Sequence, residues 1–199
     1  MEYAYYILAY LVGSINFAYF IGRLRGIDIS KFGDSNLGAT NLYFAVRHYR
    51  KGNPLFYYIL SGGLDILKTV IVTYFFGPIA GAFSVVGHTF SVFTFPLTKR
   101  IPTGSGFASS IGWLIVTDVR WLLIGLAFVP IFYLLFKDFY TQERGHIFLV
   151  FIFPFVGWAC TLLWPQETDA ITGFLIITIA VVFANMLKIR QFLKSFLKR

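Results

Sequence analysis

The sequence predicts an all-α, polytopic integral membrane protein with about seven transmembrane helices, and three observations predict it. Hydrophobic residues are 57% of the chain and charged residues 13%, with a mean hydropathy of +0.71. A soluble domain carries about 25% charged residues, so much of this surface must face hydrocarbon. Apolar runs recur at or near the length, about 20 residues, that a helix needs to cross a bilayer. The basic residues gather in alternate connections, as the positive-inside rule requires. The net charge of +8 then points to anionic lipid headgroups and an anionic substrate, and not to nucleic acid.

Residues 3–22 are uncharged and fill one span. No basic segment or small-residue cleavage site marks that run, so it is read as a retained helix. Residues 54–97 hold only Asp65 and Lys68 as full charges. They are long enough for two spans, with the break expected at Gly77-Pro78. Residues 101–117 and 121–136 are shorter candidates, divided by Asp118 and Arg120, and residues 145–165 and 170–187 complete the set. This count puts the basic clusters of residues 23–51, Lys99, Arg100, Lys137, Arg144 and the tail on one face, with Arg120 on the other. The N-terminus is therefore expected outside and the C-terminus in the cytoplasm. In the tail, Ile189, Phe192, Phe196 and Leu197 recur at helical spacing, as in an amphipathic extension along the headgroups. No fixed-period repeat or linker divides the chain, so residues 1–199 are read as a single membrane-embedded domain. The lone Cys160 excludes an intramolecular disulfide and reads as a small apolar side chain in a greasy run.

Three polar islands interrupt the apolar pattern. The first is KFGDSNLGATN, residues 31–41. Gly33 and Gly38 permit turns closed to other residues, and successive turned N–H groups form a concavity for an anion. Ser35, Asn36, Thr40 and Asn41 add neutral donors, while Lys31, Arg47, Arg50 and Lys51 attract a phosphate at longer range. An ordinary helix–loop–helix connection capped by Asp34 or Asn41 accounts for the same residues. The second island is Asp65 and Lys68, three apart on one helix face. It reads as a cavity wall, as a structural ion pair, or as Lys68 snorkelling to an interface. The third runs from Gly87-His88 to Gly104-Ser105-Gly106. A glycine turn feeding a helix N-terminus is a phosphate site in physical terms, although Ala108, Ser109 and Ser110 also suit close helix packing. His48 and His146 carry no assigned role. No set of His, Cys or carboxylate residues has metal-ligand spacing, and neither a metal nor a cofactor is expected.

Together these islands resemble the bacterial acyl-phosphate:glycerol-3-phosphate acyltransferases, the PlsY family. GSINFAYFIGRLRGIDISKFGDSNLGATN resembles that family's first motif, GGLDILKT its D-x-x-K-G element and GHTF its G-H-x-F-P. TGSGFASSIG is similar to its G-G-K-G-V-A-T-x-x-G, and FANMLK to its H-R-x-N-I-x-R. The chain departs from the pattern at Ser30, Asp34, Phe44, Ser105, Val182 and Phe183, mostly where the family carries a cation or hydrogen-bonding residue. The resemblance implies a seven-span fold in the cytoplasmic membrane of a prokaryote. It implies transfer of a long-chain acyl group from acyl phosphate to glycerol 3-phosphate, forming lysophosphatidic acid for phospholipid synthesis. His88, Lys68 and Ser105 are the catalytic candidates. Gly33, Ser35, Asn36, Gly38, Thr40, Asn41, Gly104, Gly106 and Asn185 are the candidates for holding phosphate or substrate, and Asp28 and Asp65 are structural or line the cavity. The alternatives are a relative that lost or changed the reaction and binds a lipid phosphate, and, with less support, a transporter.

Overall fold

A computed structural model describes residues 2–33, 36–99, 101–136, 157–159, 161–163 and 166–196. Every regular element in them is helical. The helices are α1 (Glu2–Gly13), α2 (Phe17–Leu24), α3 (Ala39–Tyr49), α4 (Pro54–Thr89), α5 (Phe95–Thr98), α6 (Phe107–Thr117), α7 (Val119–Phe136) and α8 (Thr168–Phe196), with a 3-10 turn at Ile29–Lys31. Among the described residues, three stretches are long and apolar enough to cross a membrane: Tyr3–Leu24, Pro54–Thr89 and Thr168–Met186. The expected span at 145–165 lies largely outside the described residues, as do Arg100, Lys137, Arg144, His146 and Cys160. The backbone of α8 continues into the tail, but the side chains beyond 186, with the amphipathic face expected there, lie outside them too.

The helix α4 is a hairpin. Its 36 residues would measure about 54 Å if straight. Lys68 and His88, 20 residues apart, would then stand about 30 Å from one another, yet Lys68 Nζ and His88 Nδ1 are 3.1 Å apart. The reversal occurs at Gly77, whose φ of 86° and ψ of 174° belong to a region open essentially to glycine. Pro78 then starts the second arm, where a missing N–H is harmless. The bend is held from both sides. Trp113 Nε1 on α6 donates to the Pro78 carbonyl at 2.8 Å. Gly173 on α8 lies so close that a Cβ there would stand 2.9 Å from the same oxygen. Trp113, Trp121 and Phe174 fill the space around them.

The expected single span at 3–22 is two helices. Residues 14–16 leave helical geometry, and α2 starts afresh at Phe17. The break persists because its polar groups find partners inside the bundle. Ser91 Oγ donates to the Ser14 carbonyl, and Asn16 bonds the His88 carbonyl and the Thr94 hydroxyl. Gly13 and Gly87 sit where any side chain would run into Ser84 and Tyr10 main chain, so α1 and the second arm of α4 pack backbone to backbone, the mode that lipid favours. The expected span at 101–117 also differs, since only Phe107–Thr117 is helical. Its first residues form the glycine turn instead, with Gly106 at a φ of 78°.

The outer surface confirms the solvent. Leu67, Ile71 and Tyr74 follow one another at i, i+4 and i+7 on α4, with exposures of 50%, 46% and 73%. Such a stripe is costly in water and neutral in hydrocarbon.

The hairpin supplies a test. Gly77→Ala is expected to lower stability by about 1–3 kcal/mol, because alanine is strained at that backbone geometry. Gly125→Ala on α7, where an added Cβ meets nothing within 4 Å, should not. Thermal unfolding of both variants in detergent makes the comparison.

Candidate active site

The first island is a loop knotted by its own side chains. Asp28 caps the 3-10 turn, accepting from Ser30 N at 3.2 Å and from Ser30 Oγ at 2.6 Å. Partial burial works to raise the Asp28 carboxyl. The two Ser30 hydrogen bonds, with Arg23 and Lys31 alongside, outweigh burial and hold the group below the ordinary carboxylate value. Asn41, at the start of α3, turns its amide nitrogen back into the loop, toward the carbonyls of Ile29, Phe32 and Asn36 at 2.8–3.0 Å. Gly33 lies directly beneath that amide, where a Cβ would be 2.8 Å from Asn41 Oδ1, and its φ is 54°. Asn36 Oδ1 accepts from Gly38 N at 3.1 Å. Asp34 and Ser35 lie outside the described residues.

The second island is a buried charge cluster. Asp65 is 1% exposed, Lys68 6% and His88 3%, so a partner must offset the cost of each charge. Lys68 Nζ has three protons, and three oxygens surround it: Gly13 O at 2.9 Å, Ile15 O at 2.6 Å and Asp65 Oδ1 at 2.8 Å. No proton remains for His88 Nδ1. We therefore assign the tautomer in which Nδ1–H points to Asp65 Oδ1 at 3.3 Å. That tautomer leaves Nε2 an acceptor, and among the described residues it has no hydrogen-bond partner.

The third island closes over this histidine. Thr103 N donates to the Thr89 carbonyl at 2.8 Å. The Thr103 hydroxyl lies within 3.1 Å of the His88 and Thr89 carbonyls, a bifurcated contact. Gly104 passes over the imidazole so closely that a Cβ would stand 2.6 Å from Nε2; its absence leaves that atom uncovered. Asn185 on α8 donates to Val181 O at 2.8 Å and to Ser105 O at 3.4 Å, bracing the turn from behind. Leu37 N donates to Thr103 O at 2.9 Å, so the first and third islands are joined by main chain.

All three border one cavity of about 950 Å³. Of the residues expected at the site, Gly33, Asn36, Gly38, Thr40, Asn41, Asp65, His88 and Ser105 line it. Lys68, Gly104, Gly106, Asn185 and Asp28 do not; Lys68 and Asn185 stand behind its wall, bonded to Asp65 and to the Ser105 carbonyl, and Asp28 caps the 3-10 turn. Asn41 lines it too, but its two amide protons are committed to the loop. The helices α3 and α6 both begin at the cavity, so two positive dipole ends face it, with first-turn N–H groups that have no partner among the described residues.

Arg47, His48 and Arg50 also line the cavity, and residue-type reasoning gave them no direct role. The missed signal was periodicity. Thr40, Phe44 and Arg47 stand at i, i+4 and i+7, one face of α3, so a guanidinium one turn beyond Phe44 reaches the same space.

Residues 3–195 match the family described as glycerol-3-phosphate acyltransferase. The chain belongs to that family. A glycerol-3-phosphate acyltransferase of Thermosipho melanesiensis is 32% identical over 173 residues, 82% of this chain and 79% of that protein. The one from Ehrlichia ruminantium is 32% identical over 185 residues, 87% of this chain and 86% of its own length. The crystal structure of PlsY, an integral membrane glycerol 3-phosphate acyltransferase in its glycerol 3-phosphate form, shares the fold. Its TM-score is 0.70 at 20% identity, covering 98% of this chain and 92% of that one. This family member is thus an all-helical integral membrane protein.

The buried cluster supplies a second test. Lys68→Met strands the Asp65 carboxylate and two carbonyls, and is expected to cost about 3–5 kcal/mol. Asp65→Leu combined with Lys68→Met removes both charges and should cost measurably less than Lys68→Met alone. A denaturation series on the single and double variants in detergent decides this.

Proposed function

We propose that the protein transfers a long-chain acyl group from acyl phosphate to glycerol 3-phosphate and releases lysophosphatidic acid and inorganic phosphate. One observation carries the reading: His88 Nε2, an unpartnered acceptor among the described residues, stands at the wall of the cavity on which both helix N-termini converge. In the step itself, the acceptor hydroxyl oxygen bonds to the acyl carbon. The bond from that carbon to the bridging phosphate oxygen breaks, and phosphate leaves with the electron pair. Acyl phosphate is already activated, so position and charge stabilisation suffice. His88 takes the hydroxyl proton, with Asp65 fixing its ring. The amides at the starts of α3 and α6 hold the phosphates, and Arg47 and Arg50 supply the charge that Phe44 and Ser105 do not. Ser105 contributes its hydroxyl and main chain as a neutral donor.

The surrounding membrane is read as the cytoplasmic membrane of a prokaryote, crossed by about seven spans, with the N-terminus outside. The support is the clustering of basic residues in the connection that carries residues 31–51, which puts the cavity mouth on the cytoplasmic side. Glycerol 3-phosphate then arrives from water, and the acyl donor from lipid.

The experiment uses purified full-length protein in lipid, with labelled glycerol 3-phosphate and hexadecanoyl phosphate. Labelled lysophosphatidic acid with equimolar phosphate is expected. Arg47→Ala should raise KM for glycerol 3-phosphate about 10- to 100-fold, the loss of one charged hydrogen bond, with less effect on kcat. His88→Asn should lower kcat at least about 100-fold. Lipid-phosphate binding without product would mean instead that this chain kept the site and lost the reaction.

A further inference from the structure

The cavity has an apolar lobe that the phosphate chemistry leaves unused. Ile59, Gly62, Gly63 and Ile66 line it from the first arm of α4, and Phe107 and Ile111 from α6. The four α4 positions recur at i, i+3, i+4 and i+7, a single helix face. That face is pinched at one end and open at the other. At the pinched end, Gly112 lets α6 rest on the Ile66 carbonyl, where any side chain would collide, and Ser109 Oγ reaches the Asp65 carbonyl at 3.4 Å. One turn away Gly62 and Gly63 bring no side chains; a Cβ on Gly62 would lie 3.6 Å from Ala39 Cβ of α3. A Cβ on Gly63 would meet nothing within 4 Å. Ile59, at the outer edge, is 62% exposed, so the gap opens sideways onto the lipid-facing surface. At its inner end it reaches Asp65 and His88, whose ring is buried and whose Nε2 has no partner among the described residues.

We propose that this gap between α4 and α6 is the lateral entry through which the acyl tail of the donor lies, and that Gly63 sets the tail length accepted. The proposal rests on the acyltransferase reading given above. The chemistry of the occupant follows from the two ends of the gap. An acidic headgroup is met by helix N-termini and Arg47, and a hydrocarbon tail by isoleucine, phenylalanine and bare glycine backbone. The unfilled volume at Gly63 lies beside the path from lipid to His88. A side chain placed there takes the space of tail methylenes without touching any catalytic group. The cost is steric, since the added side chain and the tail cannot share the same volume, so it falls on tails long enough to reach that volume.

The test is Gly63→Leu in the full-length protein, assayed with octanoyl, dodecanoyl and hexadecanoyl phosphates. Gly63 lies inside the helical part of α4 with open space around it, so the variant folds; Gly63→Ala is the graded companion, and Leu67→Phe, one turn further on, exposed and outside the cavity lining, is the control. The expected result is a fall in kcat/KM for hexadecanoyl phosphate of at least about tenfold, the cost of overpacking the tail against the new side chain. Octanoyl phosphate should change by less than about twofold, KM for glycerol 3-phosphate should be unchanged, Gly63→Ala should lie between, and Leu67→Phe should match the parent. An unchanged chain-length profile, an equal fall for every donor, or the same shift in Leu67→Phe overturns the proposal. If the parent forms no product with any donor, the acyltransferase reading fails by itself. Binding of hexadecyl phosphonate, measured by its stabilisation of parent and Gly63→Leu protein, then decides the tail site. Tighter binding to the parent supports it, and equal binding overturns it.

Discussion

A charged amine buried among helices holds this structure to its shape. The first membrane segment comes apart at residues 14–16, freeing carbonyl groups inside the helix bundle. An unsatisfied buried carbonyl costs about 1–3 kcal/mol, and a lysine at mid-membrane roughly 2.5–3.5 kcal/mol. Each liability answers the other, because the Lys68 ammonium lies on Gly13 O and Ile15 O. Its remaining proton needs an anion, and Asp65, one turn earlier on the same face, provides one. Asp65 in turn reaches His88. The interruption, the ion pair and the orientation of the imidazole are therefore one arrangement.

The glycines decide how closely the pieces approach and where they part. The hydrophobic effect does not join helices within lipid, so contact area and shape must. Gly13 and Gly87 bring α1 onto the second arm of α4, and Gly112 brings α6 onto the first arm. These approaches pull the bundle tight below the charge cluster. Above it the same residue type has the opposite effect, since Gly63 removes bulk where no neighbour lies within 4 Å of an added Cβ. One residue type thus makes both the seam and the opening, and the difference lies in what faces it.

Much of this was legible in the sequence. Composition alone placed the chain in lipid, because too few charges exist to cover its surface. The reversal at Gly77-Pro78 was readable from the pairing of a flexible residue with one that cannot continue a helix. The polar islands were visible as clusters, and their convergence followed from the family resemblance. Periodicity misled at 3–22, where an unbroken apolar run conceals a break. Ser14 and Asn16 look like ordinary tolerated polar residues until Lys68, Ser91 and Thr94 are brought beside them, and those partners are remote in sequence. Asn41 was recognised as part of the site but given an outward role; only coordinates show that its amide is spent on Ile29, Phe32 and Asn36. Lys68 was named a catalytic candidate and, alternatively, half of a structural ion pair with Asp65; its protons are all engaged behind the wall, in that pair and on two carbonyls. Arg47 was the reverse case, a residue credited only with a long-range field that helical spacing puts on the face of Thr40, lining the cavity.

The division of charge in the cavity follows from these commitments. Buried cations here are occupied: Lys68 serves the broken helix and has no proton left for a ligand. The free positive potential must then come from groups near water, Arg47 and Arg50, and from the peptide dipoles at the starts of α3 and α6. Exposed guanidinium groups are strongly screened beyond about a Debye length, some 8 Å at physiological salt, so they draw in an anion but hold it only at contact. Helix N-termini are fixed by the fold and need no reorganisation when negative charge develops. An arrangement of this kind captures with mobile surface cations and stabilises with main chain. On the proposed reading, the departures from the family pattern at Phe44 and Ser105 change how the phosphate is met, with the electrostatic requirement carried by backbone that a side-chain substitution does not remove.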